Sequence, residues 1–177
     1  MTNVPETKTG RSLAFVLFII ERIKQNKGVV AALRRADNPA TEYQCWEYLA
    51  AFHIDLEKPW VRLPFATVAA AVAKAKIEHN GSIGIGNAIA RCYEDGSQSD
   101  QAKAKLRRLL ACDSIEEVCR ILRPLFSLID ARGGAVVDYA RLLEQLLKFY
   151  WDSQRVKTEW AQEFYRYSQS SEKKEAV

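Results

Sequence analysis

Residues 103–126, KAKLRRLLACDSIEEVCRILRPLF, constrain the fold most, because two helical patterns meet there at a short polar joint. In the first pattern, Leu106, Leu109 and Leu110 have the i, i+3, i+4 spacing that places side chains on one side of an α-helix. The stripe of the second pattern consists of Val118, Ile121, Leu122 and Leu125. Two successive amphipathic helices of this kind predict an all-α protein in which both stripes face a core.

Both helices carry arginine away from the apolar stripe. At about 100° per residue, Arg108 lies opposite the first stripe with Arg107 on its flank, and Arg120 and Arg123 lie together opposite the second. Exposed helix faces are often basic only because charge keeps them solvated. Adjacent and i, i+3 arginine pairs nevertheless favour phosphate binding, because a guanidinium presents a planar fork of donors.

The polar joint carries two overlapping helix-start signals. Asp113 with Glu116, and Ser114 with Glu117, both fit a capping box, in which the first side chain caps the helix and the acid reaches back. The glutamates are thereby explained as helix-start residues rather than as a catalytic pair. Pro124 predicts a kink in the second helix, because it lacks a backbone donor and crowds the preceding turn.

A second basic cluster lies near the start of the chain. Residues 22–35 contain no acid and five basic residues, Arg22, Lys24, Lys27, Arg34 and Arg35. The net charge of +4 is only mildly basic, so binding to a polyanion depends on such clustering. Contacts of this type hold the nucleic-acid backbone without reading bases, and their affinity falls steeply with salt.

The remaining segments also read as helices, and neither alternating strand patterns nor internal repeats occur. We therefore expect an all-α compact bundle of eight or nine helices, or two small packed helical lobes. The expected boundaries are a disordered leader at 1–10, a helical domain at 11–168 and a disordered tail at 169–177. Helix starts are assigned to Ser12, Pro64, Asp138 and Ser153, and a helix stop to Asn80 and Gly81.

Motifs for catalysis or cofactor binding do not emerge from the sequence. The segment GSIGIG at 81–86 matches no phosphate-loop pattern, so close helix packing is the better interpretation. His53 and His79 lie in separate segments, which gives no metal pair. No nucleophile, base and orienting group can be assembled. We expect no metal, no cofactor and no enzymatic activity.

Cysteines and tryptophans read as core residues. Cys45, Cys92, Cys112 and Cys119 form no C-x-x-C motif, which indicates buried reduced thiols in a cytoplasmic protein. Trp46, Trp60 and Trp151 could stack on bases, but buried anchors are the favoured interpretation. The longest apolar run, residues 13–20, is much shorter than the ~18 residues of a membrane span, so we expect no membrane association.

Five blocks of sequence, taken in order, resemble a known family. They are ALRRA at 32–36, GSIGIGNAIA at 81–90, KLRRLLACDSIEEVCRILRPLFSLI at 105–129, VDYARLLEQLLKF at 137–149 and TEWAQEFY at 158–165. Together they resemble the CasB small subunit of type I-E CRISPR Cascade surveillance complexes, over roughly residues 12–167. Gly86 and Asn87 depart from the pattern, because a larger residue followed by a small one is expected there.

The resemblance implies a non-catalytic helical subunit, present in two copies along a complex built on CRISPR RNA. Its implied partners are the backbone and large subunits, a second copy of itself, CRISPR RNA and target DNA, with basic surfaces beside the guide–target duplex and the displaced strand. The alternative is a protein-interaction adaptor without nucleic-acid contact. The candidate nucleic-acid-binding residues are Lys27, Arg34, Arg35, Arg107, Arg108, Arg120, Arg123 and Arg141.

Overall fold

The computed structural model describes the backbone of residues 8–132 and 134–175. Within these ranges it contains eight α-helices and three short 3-10 helices, and no strand beyond an isolated parallel bridge between Ile83 and Val137. The helices are α1 (Lys8–Gln25), α2 (Lys27–Arg34), α3 (Trp46–Ala51), α4 (Pro59–Ala75), α5 (Ile85–Arg91), α6 (Asp100–Leu110), α7 (Ile115–Arg132) and α8 (Tyr139–Glu175). The predicted all-α fold with eight or nine helices is confirmed.

The helices form two compact units. The first consists of the described residues up to Asn80 together with Tyr139–Leu147, and the second of Gly81–Asp138 together with the described residues from Lys148. The centre of the first unit is α4, in which every residue from Pro64 to Ala73 is buried. Because six of those ten positions are alanine or threonine, whose side chains are short, α1 and α2 can pack close to its axis.

Helix α4 begins earlier than predicted, with Pro59 rather than Pro64 at its first position. Both prolines fit a helix start, but Pro64 lies inside the helix and removes one hydrogen bond of its first turns. The helix also ends before the predicted stop at Asn80 and Gly81. Lys76 terminates it in the left-handed conformation, with φ of 49°.

Helix α1 also differs from the prediction, because it begins at Lys8 and Ser12 is a buried residue within it rather than its cap. Its first turn is tied to the rest of the unit where the Arg11 Nη2 atom donates to the His53 carbonyl, 3.3 Å away. Phe15, Val16, Ile19 and Ile20 are buried, whereas Leu13 and Leu17 are exposed on the opposite face. The helix is therefore amphipathic.

The glycines of the GSIGIG segment serve close packing within the second unit. A Cβ atom on Gly86 would lie 2.1 Å from the Trp160 carbonyl oxygen, and one on Gly84 would meet the Glu163 carboxylate at 2.4 Å. The Gly86 amide donates to the buried Glu163 Oε2 atom, 3.1 Å away. The close-packing prediction is confirmed, and the larger residue expected at position 86 would not fit.

Helix α8 contains the break that the sequence predicts. Asp152 has non-helical angles, φ −144° and ψ 51°, and separates the helical pattern before it from the one that begins at Ser153. Asp138 directly precedes the helix, as predicted, and the Asn80 side chain contributes a cap by accepting from the Ala140 amide at 3.2 Å. Trp160 and Phe164, four positions apart and so on one side of the second segment, are buried.

The predicted leader and tail overlap the ends of two helices. Helix α1 includes residues 8–10 of the predicted leader, and α8 includes residues 169–175 of the predicted tail. Helical hydrogen bonding extends past the residues with helical apolar spacing, and the predicted boundaries of the helical domain were taken from that spacing. The rest of the predicted leader and tail, residues 1–7 and 176–177, lies outside the described residues.

Candidate nucleic-acid interface

The polar joint between α6 and α7 is built as the second capping box predicts. The Ser114 Oγ atom accepts from the Glu117 amide at 3.3 Å, and the Glu117 Oε2 atom reaches back to accept from the Asp113 amide at 2.9 Å. The hydrogen bond from Asp113 lowers the pKa of the Glu117 carboxyl below its ordinary value of 4.5. The Glu117 carboxylate is therefore hydrogen-bonded at the start of α7, and the two hydrogen bonds of the capping box fix the first turn of the helix.

The two helices bury their predicted stripes incompletely, and this incomplete burial leaves a groove between them. Leu106, Leu109, Val118 and Leu122 are buried, but Ile121 is only half-buried. A hollow of about 470 Å³ lies along the groove, bordered by α6, α7 and Tyr93. Its lining includes Ile121, Pro124, Leu125 and Leu128 from α7 and Gln101, Ala104, Lys105 and Arg108 from α6.

A second hollow of about 610 Å³ continues the groove toward the joint. It shares Arg108, Ile121 and Pro124 with the first hollow and adds Arg120. Arg132, the last residue of α7, lines the first hollow. The groove is thus bordered by Lys105, Arg108, Arg120 and Arg132. We call these four residues the groove cations.

Four cations around an apolar floor suit an anionic backbone. Each can donate several hydrogen bonds, and the arginines can present two at once to a phosphate. Arg108 and Arg120 are exposed, and Lys105 is half-buried with its stem against the helices. Because Glu117 already accepts from the Asp113 amide, its charge is partly satisfied before any ligand approaches. The groove cations therefore favour an anionic ligand, and the lining also contains the Glu117 carboxylate and the polar side chains of Tyr93 and Gln101.

Two predicted residues of this region do not line the groove. Arg107 is exposed on α6, beside Arg108 but outside both hollows. Arg123 is half-buried with its Nε atom inside the protein, so it does not lie with Arg120 on an open face as predicted. Pro124 is accommodated within α7, whose helical assignment runs unbroken from Ile115 to Arg132.

The other predicted residues belong to the first unit. Lys27 and Arg34 are exposed at opposite ends of α2, seven residues apart and so on the same side, while Val29 and Leu33 are buried on the other side. Arg35 follows in the 3-10 helix Arg35–Asp37 and is also exposed. Arg141 is exposed on α8. Lys27, Arg34 and Arg35 therefore form a cluster on α2 and its continuation, separate in the chain from the groove cations, whereas Arg141 belongs to α8.

Sequence reasoning did not include Arg132 or Lys105 among the candidate nucleic-acid-binding residues. Arg132 follows Leu128 by four positions, so it extends the apolar stripe of α7 with a charge at the helix end. The sequence position of Arg132 could have revealed this role. A cation in line with an apolar stripe borders the surface that the stripe lines.

The tryptophan interpretation was wrong for three side chains. Trp46, Trp60 and Trp151 are 36%, 37% and 58% exposed, and Trp160 is the buried anchor. Exposed aromatic rings are therefore present in both units. Periodicity could not reveal this, because a stripe on one short helix does not show whether a neighbouring helix covers it.

The cysteines match their predicted role, because all four are buried and free. Burial raises the pKa of the Cys45 thiol to about 12, and it also raises those of Cys92 and Cys112. Among the described residues, no group of three or more His, Cys, Asp or Glu side chains could hold a metal ion. No helix in the described part of the chain has the length and apolarity needed to cross a bilayer.

The fold and the groove define a class of protein, namely an all-α protein of two helical units that carries clustered surface arginines. The family model of CRISPR-associated protein Cse2 matches residues 29–165, and the chain belongs to that family. This confirms the resemblance to the CasB small subunit of type I-E Cascade.

Solved structures agree with this membership. The crystal structure of M. ruber CasB has 25% sequence identity and a TM-score of 0.73, and the match covers 92% of this chain and 97% of that one. The Cse2-family CRISPR-associated protein from Thermus thermophilus has 23% identity and a TM-score of 0.70, with 87% and 97% covered. CasB from Thermobifida fusca has 19% identity and a TM-score of 0.67, with 89% and 98% covered. A comparison with curated proteins finds no match.

Proposed function

We propose that this chain is a non-catalytic small subunit of a type I-E Cascade complex, which holds nucleic acid by its backbone and does not read its sequence. Its ligands are the guide RNA, the target DNA and the displaced strand, and the role is antiviral defence in the cytoplasm. Its protein partners are the backbone and large subunits and a second copy of itself. The observation that carries the proposal is the groove bordered by Lys105, Arg108, Arg120 and Arg132.

Family membership supports the same conclusion for a different reason. In a guided complex, base pairing with the guide supplies sequence recognition, so a subunit beside the duplex needs only to hold phosphates. The groove cations provide charge and donors for phosphates, and the apolar side chains between them, Ile121, Leu125 and Leu128, offer bases no hydrogen bond. We therefore expect binding that depends on salt and not on sequence.

The proposal is tested with the double variant Arg108→Gln and Arg120→Gln. Binding of a fluorescent DNA duplex is followed by anisotropy over a series of salt concentrations. We expect affinity at low salt to fall about tenfold, and the slope of log K against log salt to become shallower by about 0.9 for each lost phosphate contact. Sequence changes in the duplex should have no effect.

A charge-matched control is available in the same unit. Arg155→Gln with Arg166→Gln removes two exposed positive charges from α8, outside both hollows. This control should retain the wild-type slope. Equal losses in the two double variants would mean that net charge alone explains the binding, and unchanged binding in the groove variant would refute the proposed interface.

The alternative is an adaptor that binds only proteins, and the apolar floor of the groove favours it. Pro124 is exposed and Ile121 and Leu128 are half-buried there, so an acidic partner segment could pack against them. An adaptor should show no salt-dependent retention of DNA or RNA.

The proposal that the subunit is non-catalytic has its own test, in which labelled DNA is incubated with the protein and Mg²⁺ or Mn²⁺. Cleavage that disappears when an acidic residue is mutated would contradict the proposal.

A further inference from the structure

The two hollows of the groove differ in the sign of the charges that line them. The first hollow, which we call the distal hollow, includes Lys105, Arg108 and Arg132, and none of the described residues that line it is acidic. The second, which we call the joint hollow, includes Arg108 and Arg120 but also Glu117. Among these residues, an anion therefore meets only positive charge in the distal hollow and charges of both signs in the joint hollow.

Glu117 has little freedom to turn away from a ligand. Its Oε2 atom accepts from the Asp113 amide at 2.9 Å, and its own amide donates to the Ser114 Oγ atom at 3.3 Å. The side chain is half-buried. The hydrogen bond from Asp113, followed by smaller contributions that include the positive charge of Arg120, lowers the pKa of the Glu117 carboxyl. The carboxylate is therefore ionised at neutral pH and held in place beside the groove.

The Cys112 thiol responds to the mixed charge of the joint hollow, because it is part of the lining. Burial raises the pKa of this thiol, the negative charge of Glu117 raises it further, and the positive charges of Lys157 and Arg120 lower it. Lys157 offers little charge to a ligand, because its Nζ atom lies 3.7 Å from Asp113 Oδ1 and its side chain is only 18% exposed. The two arginines of the joint hollow therefore supply the positive charge that a ligand can reach, and Glu117 opposes it.

We propose that Glu117 limits phosphate binding in the groove, because its fixed carboxylate repels phosphates from the joint hollow and leaves the distal hollow as the main contact. The inference rests on the proposed function. It adds to that function a residue that opposes the ligand and a direction along the groove. A like charge next to a ligand opposes its binding, so Arg120 contributes less than an arginine without an acidic neighbour. The affinity of the groove is therefore lower than the groove cations alone would give.

Glu117 also has a structural role, and its position shows that this role does not explain everything. A capping box needs an oxygen at this position that accepts from the Asp113 amide, and glutamine supplies one without a charge. Glu116, one residue earlier, is exposed and lines neither hollow. The two glutamates thus have the same charge in the same helical turn, but only Glu117 borders the groove.

The test compares Glu117→Gln with Glu116→Gln in the full chain, by anisotropy of a labelled DNA duplex over a series of salt concentrations. Each variant removes one negative charge from the first turn of α7. Glu117→Gln should bind the duplex about threefold more tightly at low salt, a change of the size expected for one exposed charge pair. Its slope of log K against log salt should be steeper by up to about 0.9. Glu116→Gln should stay close to the wild type, because solvent screens its charge.

Single arginine variants test the direction along the groove. In the wild type, Arg120→Gln should weaken duplex binding less than Arg132→Gln does, and this comparison requires no change at Glu117. In the Glu117→Gln background, Arg120→Gln should weaken binding more than in the wild type, because the opposing carboxylate is absent. Equal losses from Arg120→Gln in the two backgrounds would show that Glu117 does not act on this arginine, which contradicts the proposal.

Ser114→Ala separates an effect on binding from an effect on stability. This variant removes a hydrogen bond of the capping box and no charge, so it should lower the urea midpoint and leave the affinity for the duplex unchanged. Glu117→Gln should change both, with a lower urea midpoint and a higher affinity. If Glu117→Gln retains its fold by circular dichroism but binds no more tightly than the wild type, Glu117 is only a helix-start residue and the inference is refuted.

The outcomes distinguish failure of this inference from failure of the proposed function. A wild-type protein that binds no duplex would refute both. Duplex binding that falls in the Arg108→Gln and Arg120→Gln double variant but does not rise in Glu117→Gln would refute the inference alone. Equal gains in Glu117→Gln and Glu116→Gln would also overturn it, because net charge would then explain the effect.

Discussion

The contact between Gly86 and Trp160 shows how one residue sets the spacing of two helices. The Trp160 carbonyl oxygen occupies the space where a side chain at position 86 would begin, and the Gly86 amide donates to the buried Glu163 carboxylate. A buried carboxylate needs such donors, because it has lost its hydration. Glycine therefore serves two purposes here, close approach of the backbones and an open path from its amide to Glu163.

Gly86→Ala should destabilise the protein by about 2–3 kcal/mol, because the added methyl group forces α5 away from α8. Urea unfolding followed by circular dichroism measures this as a lower midpoint at an unchanged m-value. Asn87→Ala is the matched control on the same helix, since the Asn87 side chain accepts a hydrogen bond from Arg91, 2.7 Å away on the same helix. A Gly86→Ala midpoint equal to that of the control would contradict the packing argument.

Glu117 gives the stability a dependence on pH. Because its pKa is lowered in the folded state, ionised Glu117 contributes stability that is fully present above its ordinary pKa of 4.5. That contribution is lost as the pH falls through the lower folded-state value. We expect the difference in urea midpoint between the wild type and Glu117→Gln to be largest at neutral pH and to shrink below pH 4.5. A difference that stays constant down to about pH 3 would refute the assignment.

At the scale of helices, sequence patterns predicted elements better than they predicted exposure. The apolar spacing identified α6 and α7, and the capping box located their joint at Ser114. The start of α4 was misplaced because Pro59 and Pro64 both satisfy the rule for a first helical position. That rule describes one turn and does not choose between two candidates five residues apart.

The candidate site could be predicted only in part. Arg108 and Arg120 were identified because their helices are regular and their angular positions follow from the sequence. Arg132 and the exposed Trp46 were not, since each depends on which neighbouring helix covers a face. Packing between helices is set by many side chains together, and periodicity within one helix does not contain that information.

The cap of α7 provides an element-scale prediction. Ser114→Ala removes the oxygen that accepts from the Glu117 amide, and it should cost about 1 kcal/mol of stability. Ser114→Asp should retain the cap and serve as the control, because aspartate is an equally good capping residue. Thermal unfolding of the three proteins gives the comparison. If Ser114→Ala and Ser114→Asp melt together, the cap does not hold α7 in place.

At the scale of the whole molecule, positive charge is divided between the two units. The cluster of Lys27, Arg34 and Arg35 belongs to the first, and the groove cations belong to the second. A net charge of only +4 therefore understates the local positive charge at either cluster. If each cluster contacts its own phosphates, their contributions to binding are independent and their free energies add.

Combining Arg34→Gln and Arg35→Gln with Arg108→Gln and Arg120→Gln tests that division. The losses in log K of the two double variants should add in the quadruple variant, and its salt slope should fall by about 0.9 for each phosphate contact removed from a duplex. A quadruple variant no weaker than the groove double variant would restrict binding to the second unit. Losses that exceed the sum would mean that the two clusters hold the same stretch of nucleic acid cooperatively, since phosphates held at one cluster then raise the effective concentration at the other.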